Sequence, residues 1–265
     1  EHKHPMNIDS MTADDLRVFA DFLSSDYDIS MNTIVTNMTL MRTVCNWVRK
    51  QGVTNNDPFF GYEMPKALYG TPYFLTIQER DQVLDADLTD DAELAEYRDM
   101  FVFQCMVGCR HSDLVTFTPK NIIDGVLEYI PIKTKGKSGD VVRVPLIPKA
   151  MAILDGHDHG DDEPIFPKHY NFKFNDAIRR ILKRAKVNRV VTVINPKTRL
   201  EEKKPISDVA TSHLARRTFI GNLYRMVKDP DLVASMSGHA KGSVAFARYR
   251  VIDDDMKKSL VELIQ

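Results

Sequence analysis

Between residues 52 and 75 the chain carries three prolines and three glycines with no sustained hydrophobic period. No long helix or strand runs through such a stretch, because proline lacks the N–H and glycine loses the most backbone freedom on folding. The segment reads as a linker, with a boundary near Phe74 that divides the chain into domains at 1–74 and 75–265. A chain of 265 residues, 43% of them hydrophobic, has material for two cores. No run approaches the roughly 18–20 apolar residues of a membrane span, and no signal peptide opens the chain, so no membrane partner is expected. Cys45, Cys105 and Cys109 are too few and too irregular for a disulfide framework, which points to a reducing, cytoplasmic setting. Residues 1–11 read as the start of a fragment, without an initiator Met.

Hydrophobic periodicity gives a mainly α chain with small antiparallel β-hairpins, an α+β class. In the first domain, Thr12 and Asp15 form a capping-box pattern before Leu16, Phe19, Ala20 and Leu23. A second helix runs from about Asn32 to Gln51 on the stripe Ile34, Met38, Met41, Cys45 and Val48, and stops at Gly52. In the second domain, Thr76 and Glu79 open a helix, and another spans about Asp91 to Val107 and stops at Gly108. Val126–Ile132 and Val141–Leu146 flank a polar turn and read as a hairpin, as do Val190–Ile194 and Lys203–Ile206. Between them, 171–186 is amphipathic, with Phe174, Ala177, Ile178, Ile181 and Ala185 inward and Arg179, Arg180, Lys183 and Arg184 outward. Ser212 caps a helix to about Val227, Asp229-Pro230 starts a short one ending at Gly238, and Ser243 caps one carrying Tyr249. Residues 253–265 form a last amphipathic helix, which either folds back on its own domain or docks on a second protomer.

The formal net charge is −1, which by itself argues against a nucleic-acid partner. That average hides an uneven distribution. Residues 1–75 carry 6 basic and 9 acidic side chains, whereas 179–204 hold 10 Lys/Arg against 2 Glu. A basic stripe is what a phosphate backbone responds to, although such a run is also the ordinary solvated face of a helix.

Several short constellations carry possible chemistry. His213-x-x-Arg216 places an imidazole and a guanidinium on one helix face, where both can donate to one anionic oxygen cluster. Gly108-Cys109-Arg110 puts an arginine just past a helix stop, with Asp113 in reach to orient it. Lys133-Thr134-Lys135-Gly136-Lys137 sits at a hairpin tip, Gly238-His239 follows a helix, and Tyr249 lies ten residues beyond His239. Each has a plainer reading as surface charge or packing. His157-Asp158-His159 with Asp161, Asp162 and Glu163 lacks the helical spacing of a metal site, and Cys105 and Cys109 read as core, so no metal or cofactor is expected.

The order of these pieces is more telling than any one of them. Arg, a hairpin Lys, His-x-x-Arg, Gly-His and a late Tyr resemble the tyrosine recombinase (phage integrase) family, in the style of integrases from conjugative transposons and prophages. The residues that carry the resemblance are GCRHSDL (108–114), KTKGK leading to RVPL (133–146), HLARRTF (213–219), SGH (237–239) and ARY (247–249). More loosely, 31–48 and NDPF (56–59) resemble that family's helical core-binding domain. The chain departs from the family pattern at Val107, at Ala215, and in a His239-to-Tyr249 spacing one residue longer than usual.

The resemblance implies a catalytic set of Arg110, Lys135, His213, Arg216, His239 and Tyr249. The two arginines would clamp the scissile phosphate, the histidines would donate or move protons, and Tyr249 would attack phosphorus to form a 3′-phosphotyrosyl link. Lys135, with Lys133 as its rival, would protonate the leaving 5′ oxygen, and Asp113 would support Arg110. It also implies double-stranded DNA as substrate, a homotetramer on the recombination site and an exchanged C-terminal helix. The alternatives are a DNA-binding regulator without catalysis, or a type IB-like topoisomerase or resolvase.

Overall fold

The structure is a computed structural model, and it describes residues 7–27, 29–136, 140–157, 160–227, 229–239 and 261–262. Tyr249 and the helix expected from Ser243 lie outside the described residues, as do Lys137, Asp158, His159 and most of the expected 253–265 helix. The chain divides into two compact units, Glu1–Gly70 with Thr192–Glu202, and Thr71–Val191 with Lys203–Gln265.

In the first unit, helices α1 (Ala13–Ser25) and α2 (Met31–Lys50) pack through Leu16, Leu23, Ile34, Met38 and Cys45, with Phe59 closing the cluster. The Thr12/Asp15 capping box is present in full. Ser30 caps α2 by accepting from the Thr33 N–H. The linker is tied down by side-chain amides rather than by regular structure. Asn56 Nδ2 donates to the carbonyls of Ile8 and Met11 at 2.7 Å each, and Asn32 exchanges two hydrogen bonds with the backbone of Leu68.

The second unit is built around α4 (Ala92–Val107), which follows α3 (Ile77–Leu84). Every residue of α4 from Met100 to Val107 is buried, so this helix is a core element with no wet face over its last two turns. Asp91 caps its start. Gly108 ends it at φ 69°, in the left-handed conformation that glycine adopts without a Cβ penalty. The one-turn α5 (His111–Leu114) follows at once.

A three-stranded antiparallel sheet comes next: β1 (Ile122–Ile123), β2 (Val126–Tyr129) and β3 (Val142–Pro145), with Leu127 opposite Val144 and Tyr129 opposite Val142. The expected hairpin is there, with shorter strands than the apolar runs suggested. After Tyr129 the chain turns at Pro131, whose carbonyl accepts from the N–H groups of both Thr134 and Lys135 at 2.9 Å.

Helices α6 (Pro148–Asp155) and α7 (Asn171–Arg184) then pack against α4, and β4 (Val190–Ile194) pairs with β5 (Glu201–Pro205) as the second hairpin. After the short α8 (Ile206–Val209), α9 (Ser212–Val227) lies against α4, and α10 (Pro230–Ser237) ends at Gly238, again left-handed.

The inward face of α7 is as the periodicity required, but its outward cations do not form a bare basic stripe. Arg179 pairs with Asp176, Arg180 with Asp91, Lys183 with Asp208, Arg184 with Asp90, and Arg189 beyond the helix with Glu79. Three of these five partners come from the distant start of α4 and from α3, and half of the ten cations of the 179–204 run are thus paired in space.

Candidate active site

Arg216 is the largest fully buried side chain among the described residues, 1% exposed. A buried guanidinium is costly, so its donors must be met. Nη1 donates to the carbonyl of Gly108 at 2.7 Å, and Nη2 lies 3.0 Å from Nδ1 of His239. The helix stop in α4 therefore has a second duty, since it aims a carbonyl at the arginine of α9. The glycine is required twice over, because a Cβ at residue 108 would fall 2.2 Å from the Phe219 ring on α9.

Arg110 caps α5 with its backbone, and its carbonyl accepts from the N–H groups of Asp113 and Leu114. Its Nη1 lies 4.0 Å from Oδ2 of the buried Asp113. The other oxygen, Oδ1, accepts from the backbone N–H of Ile132 at 2.9 Å. One carboxylate thus faces the arginine and also holds the arm that continues into Lys133. Sequence spacing showed the first contact and not the second.

His213 stands on α9 one turn before Arg216 and is open to the surface. Partial desolvation, then the guanidiniums of Arg217, Arg216 and Arg110, hold its pKa down at about 4. His239 follows Gly238, and its Nδ1 also lies 2.9 Å from Oγ of Ser237. Burial first, then Arg216, Arg110, His213 and Lys133, push its pKa down to about 3. Both imidazoles are neutral at pH 7 in the absence of a bound anion. Lys133 and Lys135 are both exposed, and it is Lys133 that acts on His239 from the β2–β3 arm.

Arg110, His213 and Arg216 line one cavity of about 580 Å³, together with Gln104, Cys109, His111 and Ser112. Asn171, Asn175, Thr211 and Ser212 complete it. Of these last residues only Ser212 was singled out from sequence, as a helix cap. The two asparagines had a readable signal, an i,i+4 pair on one face of α7, but their use was not readable. Asn175 Oδ1 accepts from the Ser212 N–H at 2.7 Å, and Asn171 Oδ1 accepts from the Ser212 hydroxyl at 3.0 Å. Ser212 is thus the first helical residue of α9, capped from α7, rather than the cap itself. The cysteines are core, with burial raising the pKa of Cys105 and Cys109. His157 faces Asp99 at 3.4 Å.

Two guanidiniums and the imidazole of His213 around one opening, with His239 against Arg216, form a receptor for a tetrahedral oxyanion. Over residues 73–256 the chain matches the model of the phage integrase family. The chain belongs to the phage integrase family, the tyrosine recombinases. As such it is a DNA strand-breaking and rejoining enzyme.

Solved structures share the fold. A Tn1549 transposon integrase in complex with circular intermediate DNA is 16% identical, with a TM-score of 0.68 over 98% of this integrase and 88% of that chain. A lambda integrase dimer bound to a COC′ core site is 14% identical, with a TM-score of 0.67 over 95% and 84%. The XerH site-specific recombinase bound to its difH substrate is 15% identical, with a TM-score of 0.62 over 98% and 72%. No curated protein matches the integrase by sequence. Among the described residues, no helix is long and apolar enough to cross a membrane.

Proposed function

We propose that this integrase cleaves and rejoins double-stranded DNA at a specific site through a 3′-phosphotyrosyl intermediate on Tyr249. The observation that carries the reading is the gathering of Arg110, His213 and Arg216 about one opening, with His239 against Arg216, from elements more than 100 residues apart.

Arg110 and Arg216 bind the non-bridging oxygens of the scissile phosphate, where charge builds as the phosphorus becomes five-coordinate. The phenol oxygen of Tyr249 forms the new bond to phosphorus, and its proton passes to a neutral imidazole, His213 or His239. The bond to O5′ breaks, and a lysine ammonium supplies the proton that the alkoxide needs to leave. Lys133 fits that role better than Lys135, because its charge is felt at His239 and its arm is held by Asp113. Attack by the 5′ hydroxyl of a second strand reverses the step and releases Tyr249, so the phosphodiester energy is kept within the covalent link.

The enzyme works in the cytoplasm as a tetramer on its site, with the first unit serving as the core-type DNA-binding domain and the C-terminal helix exchanged between protomers. Duplexes carrying the end sequence of its own element test the reading. Recombinant joint products are expected. Relaxation of arbitrary supercoiled DNA without exchange would mean a topoisomerase, and specific binding without cleavage would mean a regulator.

A further inference from the structure

Helix α2 of the first unit has an unusual outer face. Leu40, Val44 and Trp47 recur at i, i+4 and i+7 and are 60%, 57% and 61% exposed. Between and beside them stand the exposed Thr36, Thr39 and Thr43. Each threonine hydroxyl donates back to the carbonyl four residues earlier, at 3.0, 2.7 and 2.9 Å. With the hydroxyls turned inward on the helix, the methyl groups are what the face presents. The surface is therefore a row of methyls and one indole, roughly 16 Å long at 1.5 Å per residue.

Its charge is equally one-sided. Residues 29–56 contain Arg42, Arg49 and Lys50 and no Asp or Glu, although residues 1–75 as a whole carry 9 acids against 6 bases. Arg49 is paired with Asp57, while Arg42 and Lys50 are exposed at the edges of the methyl row. An apolar strip flanked by cations, within an otherwise acidic unit, is complementary to a polyanion with apolar groups in its groove.

We infer that this face of α2 lies in the major groove and reads thymine 5-methyl groups, with Arg42 and Lys50 on the adjoining phosphates. The inference rests on the proposed DNA substrate and adds what the first unit selects in it. The major groove admits one α-helix, and the thymine methyl is the group there that threonine methyls and aliphatic side chains recognise. A strip of this length spans on the order of four to five base pairs at 3.4 Å each. Sequence choice then comes from α2, and the phosphate contacts add position and salt dependence.

The test uses the full chain and the duplex it enriches from a random pool. Replacing thymine by uracil in that duplex removes only the methyl groups. Each contacted methyl lost should weaken binding about fourfold, the equivalent of about 0.8 kcal/mol. The Thr39→Ser/Thr43→Ser variant keeps both back-bonded hydroxyls and loses both methyls. It should bind the thymine duplex more weakly and respond less to uracil than the wild type does. Equal binding of thymine and uracil duplexes overturns the inference and leaves the recombinase reading intact. So does a change in the oligomeric state of the free chain in Leu40→Glu/Val44→Glu with no uracil effect, which would make the face a protein interface. Failure to enrich any duplex would overturn the inference together with the reading it rests on.

Discussion

Arg216 on α9 donates to the carbonyl of Gly108 at the end of α4, 2.7 Å away, and by that bond the fold fixes the deepest cation of the site. The relationship explains why the core helix of the second unit must stop where it does. A side chain at residue 108 would need φ near 69° and would meet the Phe219 ring.

Gly108→Ala should therefore cost about 2–4 kcal/mol, from left-handed strain and overpacking together. Chemical denaturation of the variant checks this. A stability equal to wild type would mean that α4 and α9 are less tightly joined than described.

Arg216→Lys keeps the charge and loses the planar fork that reaches Gly108 and the phosphate at once. Cleavage should fall by roughly two to three orders of magnitude, the usual cost of losing an oxyanion donor. Duplex binding should stay within about tenfold, because most affinity comes from contacts along the backbone. Cleavage assays and gel shifts on the same variant separate the two effects.

The histidines give the site a pH signature. Folding lowers the pKa of His213 to about 4 and of His239 to about 3, from the unfolded value of about 6.5. The unfolded chain then binds more protons across that window, so stability is full above about pH 6.5 and is lost as pH falls through 4 and 3. Denaturation midpoints measured against pH should show this slope, and His239→Gln should flatten it. A bound phosphodiester reverses the repulsion from the arginines, so both pKa values should rise in the DNA complex, as read by NMR of the ring protons.

Lys133 and Lys135 are separable by leaving-group chemistry. Lys133→Ala should slow cleavage of the ordinary phosphodiester strongly and Lys135→Ala only slightly. A substrate with sulfur in place of O5′ needs no proton to leave, so it should restore the Lys133→Ala rate. Restoration in Lys135→Ala instead would reverse the assignment.

What the sequence showed, and what it hid, follows from the range of each interaction. The Gly108 stop, the Thr76 cap and the inward face of α7 depend on residues within a turn or two, and local pattern suffices for them. The bond from Ile132 to Asp113 joins residues 19 apart across a turn whose register sequence does not fix, and with it goes the choice between Lys133 and Lys135. The pairing within the basic stripe was hidden for the same reason. Asp90, Asp91 and Glu79 lie about 90 to 110 residues from the cations they neutralise. Order along the chain carried the family, because an arginine, a lysine, His-x-x-Arg, Gly-His and a late tyrosine in that succession constrain far more than any one of them.

The most direct measurement is where the covalent bond to DNA forms. An oligonucleotide nicked beside the cleavage site traps the intermediate, and digestion followed by mass spectrometry locates the attached residue. With a chelator present throughout, wild type should yield an adduct mapped to Tyr249, and Tyr249→Phe should yield none. An adduct that survives in Tyr249→Phe, or a wild-type protein that binds its site without forming one, would contradict the account.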